Sequence, residues 1–336
     1  MASLPRMTGK GVADLKEIVQ LVEEDLARVE DFFEEQVRSD IPLIAEVGRY
    51  IRDGGGKRIR PALLLLSCRL NGYRGERAIL LAAVVEFIHT ATLLHDDIID
   101  EATMRRGRRS VNSRWGNDLT VLLGDFLYTK SMAMALSQDN LRILRLLSDV
   151  TLRMIEGEIL EIQRCADLGV SVDDHMDIIR RKTADLFSAC LRIGAMLADA
   201  PSDKEQALAS YGLNLGLCFQ MVDDVLDFTA DEKVLGKPVA NDLREGKLTL
   251  PTIFALQRTG PHGLDRIKAV LDDRGFARVS AQEIARLVRD SGALDESRAL
   301  AEKYAEAARR DLAAFERSPY REALSVLPDF ILARDH

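Results

Sequence analysis

Two short stretches, HDDIIDE at 95–101 and VDDVLDF at 222–228, constrain this chain more than any other feature, because each closes a long apolar run with Asp-Asp-apolar-apolar-Asp. The apolar spacing makes each run a buried helix, so acidic groups stand where the interior should begin. Ionised carboxylates lose hydration there that an apolar interior cannot replace. Something cationic must meet them. Residues four apart on a helix share a face, so Asp96 and Asp100 project together with Asp97 beside them, and Asp223, Asp224 and Asp227 repeat the arrangement. If the two helices face each other, six carboxylates converge on one cavity. Oxygen donors of this kind suit hard cations, and Mg²⁺ typically combines one or two carboxylates with water and substrate phosphates. The implied ligand is a diphosphate. One such cluster is as easily a solvated helix face; two copies on apolar helices are hard to explain that way.

The rest of the chain supports an all-α reading. Apolar positions recur at three- and four-residue spacing over 12–37, 62–71, 75–99, 118–136, 139–163, 173–198, 204–228, 247–257, 278–291, 295–316 and 319–333, which predicts about ten or more helices. Prolines such as Pro42, Pro61, Pro201, Pro238, Pro261 and Pro319 fall at the breaks. No segment sustains alternation, so no sheet is expected. Without a linker or composition shift, the expected organisation is one helical bundle over residues 1–336, with the motifs between 54 and 251.

A net charge of −8 and pI near 5.4 argue against a nucleic-acid partner, which selects a basic footprint. The N-terminal MASLPRMTGKGVADLKEI has no apolar signal core, and a cytoplasmic location is the expectation. Cys68, Cys165, Cys190 and Cys218 lie far apart without CxxC spacing, suggesting reduced packing residues. Glu86 and His89 make one Glu-x-x-His, yet a di-iron bundle needs two, and no other histidine has a glutamate three residues before it.

Basic residues concentrate in GGGKRIRP (54–61), RRGRR (105–109), RRKTA (180–184) and LGKPVANDLREGKLTLP (235–251). Lysine and arginine at such loops and helix ends can hold phosphate oxygens. GGGKR is not a nucleotide P-loop, which needs Ser or Thr after the lysine where Arg58 stands.

In their order along the chain, GGGKRIRP, HDDIIDEATMRRG, LLGDFLY, EGEILEI, IIRRKTA and FQMVDDVLDF followed by LGKPVANDLREGKLTLP closely resemble the trans-isoprenyl diphosphate synthases of the long-chain polyprenyl branch. The resemblance implies an isoprenoid synthase fold enclosing a central cavity, and head-to-tail condensation of isopentenyl diphosphate with an allylic diphosphate, farnesyl diphosphate being the expected primer. It also implies about two or three Mg²⁺ ions per site. By motif, Asp96, Asp100 and Asp223 look like metal ligands, with Asp97, Asp224 and Asp227 supporting them. Arg105 looks like an allylic-diphosphate contact, joined by Lys182, Thr183, Gln220, Lys237 and Lys247. Lys57, Arg60, His89 and Arg106 match the isopentenyl-diphosphate site, and Phe219 and Thr183 stand near the expected carbocation. Ionising an allylic C–O bond concentrates negative charge on the departing diphosphate, which metals and guanidinium groups stabilise, so no side-chain nucleophile is required. Homodimers, a product feeding quinone side chains and transient membrane contact at product release are further implications.

Product length should be set on the helix before Asp96. Ala91 and Thr92, one turn back, are small where short-chain relatives carry an aromatic stop. A turn rises about 5.4 Å, close to one isoprene, so the side chain that stops a long product should lie several turns away; the resemblance to the long-chain branch implies roughly seven to ten units, octaprenyl being the central expectation. Met132 and Met134, with Phe87 or Ile88, are the expected floor, and Ala91→Phe should shorten the product. Other readings are a geranylgeranyl synthase, a terpene cyclase and a noncatalytic subunit of a heteromeric synthase. The second aspartate cluster with Lys57 and Arg60 favours elongation over cyclisation, and intact aspartates argue against the subunit.

Overall fold

The computed structural model describes residues 15–229 and 239–334. Its helices are α1 (Leu15–Val19), α2 (Glu23–Gln36), α3 (Pro42–Asp53), α4 (Ile59–Leu70), α5 (Arg77–Ile99), α6 (Val111–Trp115), α7 (Asn117–Leu136), α8 (Leu141–Gln163), α9 (Val172–Ile179), α10 (Asp185–Leu197), α11 (Ser202–Thr229), α12 (Asn241–Arg244), α13 (Leu250–Arg258), α14 (Gly260–Asp273), α15 (Ala281–Asp290), α16 (Ala293–Asp311) and α17 (Pro319–Leu332). The fold is all-α. Helix α10 touches α4, α5, α8 and α11, so it stands between the two helices that end in aspartates. Both α5 and α11 are largely buried. By length and composition alone α5 and α7 could cross a membrane, but most of α5 is enclosed by protein, the property of a core helix.

Four features differ from the sequence expectation, and the first is a 3-10 turn at Gln20–Val22 that interrupts the helix expected over 12–37. A hairpin joins Met104–Arg105 to Arg108–Arg109, where no sheet was expected. Arg106 and Gly107 at its tip both have positive φ, 52° and 72°, which lets two-residue strands reverse tightly. Helices α3 and α14 begin at Pro42 and at Gly260-Pro261, where proline read as a break instead opens a helix whose first N–H groups need no partner. The single helix expected over 173–198 is divided by a π-turn at Arg180–Ala184.

That π-turn is wedged between two glycines. A Cβ on Gly157 of α8 would stand 2.8 Å from Arg181 Cβ, and one on Gly216 of α11 would stand 2.6 Å from Ala184 Cα. Close backbone approach on both sides therefore fixes where Lys182 and Thr183 sit. Gly216→Val should destabilise the protein by about 1–3 kcal/mol, the ordinary cost of overpacking. Thermal unfolding measures it; an unchanged midpoint would mean the helices are less tightly apposed than described.

Candidate active site

A cavity of about 370 Å³ is bordered by residues from both acidic helices, with Asp96 from α5 and Asp223 and Asp224 from α11. Facing them are Arg60, His89, Arg106, Lys182 and Lys247. The structure thus brings the two motifs to one chamber. Asp100 reaches the same place through Lys247, whose Nζ lies 2.7 Å from Asp100 Oδ1 and 3.1 Å from Glu245. Lys182 Nζ stands 2.7 Å from Glu158 and also pairs with Glu161, both on α8.

Electrostatics in the chamber follow from burial and crowding. Burial, then Glu158, push the Asp96 carboxyl up to about 7. Asp223 keeps a third of its side chain open to the cavity, yet the surrounding protein still displaces bulk water and raises it to about 6, against the pull of Arg334 at 2.7 Å. Asp227 is likewise raised to about 6 by burial, opposed by the N–H groups of Asp242 and Asn241. For Lys182, burial works against the charge but Glu161 and Glu158 outweigh it, and the lysine is raised. Lys247 is raised in the same way by Glu161 and Asp100. Burial and the nearby Arg60 and Arg106 hold His89 well below the usual imidazole range, so it is neutral. It lies 2.9 Å from Arg60.

Other residues of the two motifs point elsewhere. Asp97 is buried against Arg105 Nε at 2.7 Å and borders a smaller adjoining chamber that shares His89, Leu93 and Arg106 with the main one, so in this arrangement it orients an arginine. Asp227 accepts the backbone N–H groups of Asn241 and Asp242, both at 3.2 Å, and so anchors the start of α12. Lys57 lies close enough to Arg334, Asp223 and Arg106 to feel their charges, burial being the larger influence in lowering it. Thr183, Gln220 and Phe219 border the main cavity. Lys237 lies outside the described residues.

An apolar cavity adjoins the main chamber. A second cavity of about 230 Å³ shares Thr92, Asp96 and Lys182 with the main chamber and continues along Ile99, Met154, Ile155 and Ile159. Met132 and Met134 do not border it. Phe87 packs against Phe33 with the rings tilted and their centres 4.2 Å apart, and Ile88 and Ala91 are buried in the core. Across this cavity Thr92 meets residues of α8, while α7 packs along α5.

Three residues escaped the sequence reading. Arg334, just beyond α17, bonds Asp223 and lies over the Phe219 ring at 4.9 Å, although no motif marks it. Glu158 and Glu161 sit three residues apart in EGEILEI, and that spacing was the available signal.

Helices that gather acidic side chains and a set of lysines and arginines around one chamber form a site suited to a divalent cation and a phosphorylated substrate. The chain belongs to the polyprenyl synthetase family, whose model, described as Polyprenyl synthetase, matches residues 41–288. It is 39% identical to an octaprenyl diphosphate synthase from Escherichia coli K12, over 96% of this chain and 99% of that one. It is 36% identical to an all-trans-nonaprenyl-diphosphate synthase (geranyl-diphosphate specific) of Rhodobacter capsulatus, covering 95% and 98%. Among solved structures it resembles a polyprenyl synthase from Caulobacter crescentus CB15 complexed with calcium and isoprenyl diphosphate, with a TM-score of 0.93 and 37% identity over 97% and 100% of the chains. The fold is that of the isoprenoid synthases and the protein is a prenyltransferase.

Proposed function

We propose that the protein is a long-chain all-trans-polyprenyl diphosphate synthase that adds isopentenyl diphosphate repeatedly to an allylic diphosphate, with octaprenyl diphosphate the main product and farnesyl diphosphate the primer. The carrying observation is the shared chamber, in which Asp96 and Asp223 stand opposite Lys182, Lys247, Arg60 and Arg106. Incubating the purified protein with farnesyl diphosphate, labelled isopentenyl diphosphate and Mg²⁺ tests this: long labelled products are expected, and no incorporation would refute it.

The donor set fits a divalent cation. Its ligands would be carboxylate oxygens of Asp96, Asp100 and Asp223, with Asp97 and Asp227 behind them. Among the described residues no three acidic or histidine side chains already enclose an ion. Mg²⁺ that keeps waters and substrate phosphates among its ligands needs no such cage. When bound, the ion supplies positive charge to the diphosphate as the allylic C–O bond breaks. Lys182, Lys247 and Arg105, with Lys237, add charge around that leaving group. Arg60, Arg106, Lys57 and the neutral His89 hold isopentenyl diphosphate, so its alkene carbon can bond to the allylic carbon. One proton is then lost to restore a double bond, and the departing diphosphate accepts it. The growing chain enters the cavity beside Thr92, between α5 and Met154, Ile155 and Ile159 of α8.

Proton and metal compete for the same buried carboxylates. Asp96 binds a proton more tightly in the folded protein, near 7, than at its ordinary value of 3.8, so its contribution to folding is full below about pH 4 and is lost as pH rises through 7. A cation that replaces the proton should therefore stabilise the protein more at high pH. The shift in melting temperature on adding Mg²⁺ should be clearly larger at about pH 8 than at about pH 6; equal shifts would remove these carboxylates from the binding site.

A homodimer, a cytoplasmic location with transient membrane contact and supply of a quinone side chain complete the proposal, as does a single catalytic domain over 1–336. Packing of α1 on α17 supports the single unit. Support for the dimer is the face formed by Leu152 of α8 and Leu122 of α7, each more than half exposed. Leu122→Glu together with Leu152→Glu should halve the mass measured by light scattering; an unchanged mass would assign the face another role.

A further inference from the structure

Four side chains in the main cavity bond in series. His175 Nε2 lies 2.8 Å from Asp224 Oδ2, Gln220 Nε2 donates to Asp224 Oδ1 at 3.2 Å, and Thr183 Oγ1 donates to Gln220 Oε1 at 2.9 Å. All four border the chamber, and His175 and Asp224 are only 6% and 2% exposed. The direction of every bond is set from one end. A carboxylate offers only acceptors, so His175 and the Gln220 amide must both turn N–H groups toward Asp224. The Gln220 carbonyl is then left facing Thr183. Thr183 has a single hydroxyl proton, and that carbonyl takes it. What remains of the hydroxyl for the cavity is its oxygen lone pairs.

We propose that His175 is a positioning residue which, through Asp224 and Gln220, holds the Thr183 oxygen toward the cavity as a fixed acceptor for positive charge developing on the allylic carbon. The inference rests on the proposed condensation, in which that carbon becomes cationic near Thr183. An oxygen already oriented when charge appears stabilises it without reorganisation, whereas a hydroxyl free to rotate presents its proton for part of the time. His175 is well placed for this task. Its helix, α9, starts at a capping box between Ser171 and Asp174, and the His175 N–H bonds the Ser171 carbonyl, so the ring is carried on a pinned first turn. Nothing in the aspartate or lysine motifs requires a histidine at this position, and the proposed binding of metal and diphosphate leaves it without a role.

The test is a double-mutant cycle. Loss of an outer partner that orients a working group lowers activity about 10- to 100-fold. His175→Phe should therefore lower kcat by that factor with the KM for isopentenyl diphosphate unchanged. His175→Gln, which can still donate to Asp224, should recover most of the loss. In a Thr183→Val background, His175→Phe should cost less than twofold more. Full multiplication of the two effects, an unchanged kcat in His175→Phe, or no recovery in His175→Gln would overturn the inference. Nitrogen NMR of the His175 ring is an independent arm that needs no turnover: a protonated Nε2 is expected, and an unprotonated Nε2 would overturn the inference even if the protein proves to be a synthase. If the wild type incorporates no isopentenyl group while Nε2 is protonated, it is the proposed reaction that fails.

Discussion

Asp96→Ala is expected to lower turnover by about a thousandfold or more, and Asp223→Ala by a similar factor. Removing one preorganised group that stabilises a developing negative charge already costs about 10²–10³-fold, and each aspartate both holds charge-stabilising cation and fixes where the diphosphate lies. The loss should not come from unfolding. Asp96 is raised to about 7 by burial and by Glu158, which means its charge is unwelcome in the folded chain, so Asp96→Asn should melt no lower than the wild type. Steady-state assay with saturating substrates, paired with thermal unfolding, separates the two. A variant that retains a tenth of wild-type turnover would remove Asp96 from the reaction, and one that melts well below it would make the loss structural.

Thr92→Phe should collapse the product distribution, and more strongly than Ala91→Phe. Thr92 borders both the reaction chamber and the apolar cavity beyond it, whereas Ala91 is buried in the core. A phenyl ring at position 92, one turn before Asp96, would fill the entrance where a chain must pass to grow. One helical turn spans about 5.4 Å, close to one isoprene, so growth should stop after one or two additions to the primer. Met154→Ala on the opposite wall should lengthen the product or leave it unchanged. Chromatography of the dephosphorylated lipids reads the outcome. Long product from Thr92→Phe would place the growing chain elsewhere.

How far the sequence reached can be judged at particular residues. Asp96 and Asp223 were legible because a repeated acidic pattern on apolar helices has no inexpensive structural explanation. The long helices α5, α7, α8 and α11 were legible because each buries a continuous apolar face. Helices α3 and α14 were missed because Pro42 and Pro261 were read as breaks, whereas each stands in the first turn, where its missing N–H costs nothing. The hairpin at 104–109 has strands of two residues, too short for any alternation to register. Division of the α9–α10 segment depends on glycines from two other helices, a tertiary cause that no local window contains. That α8 walls the cavity beside Thr92 was not read for the same reason, since periodicity on α5 tells which face is apolar and not which helix meets it. Arg334 was illegible: it is a lone arginine 111 residues from Asp223, brought there only by the course of α16 and α17.

Diffraction from crystals grown with Mn²⁺ and a thiolo analogue of farnesyl diphosphate, whose C–S bond resists ionisation, puts the main claim to a direct test. Anomalous manganese peaks should lie beside both Asp96 and Asp223 and should share one diphosphate between them. Metal at a single cluster, or a diphosphate seated outside the chamber, would contradict it.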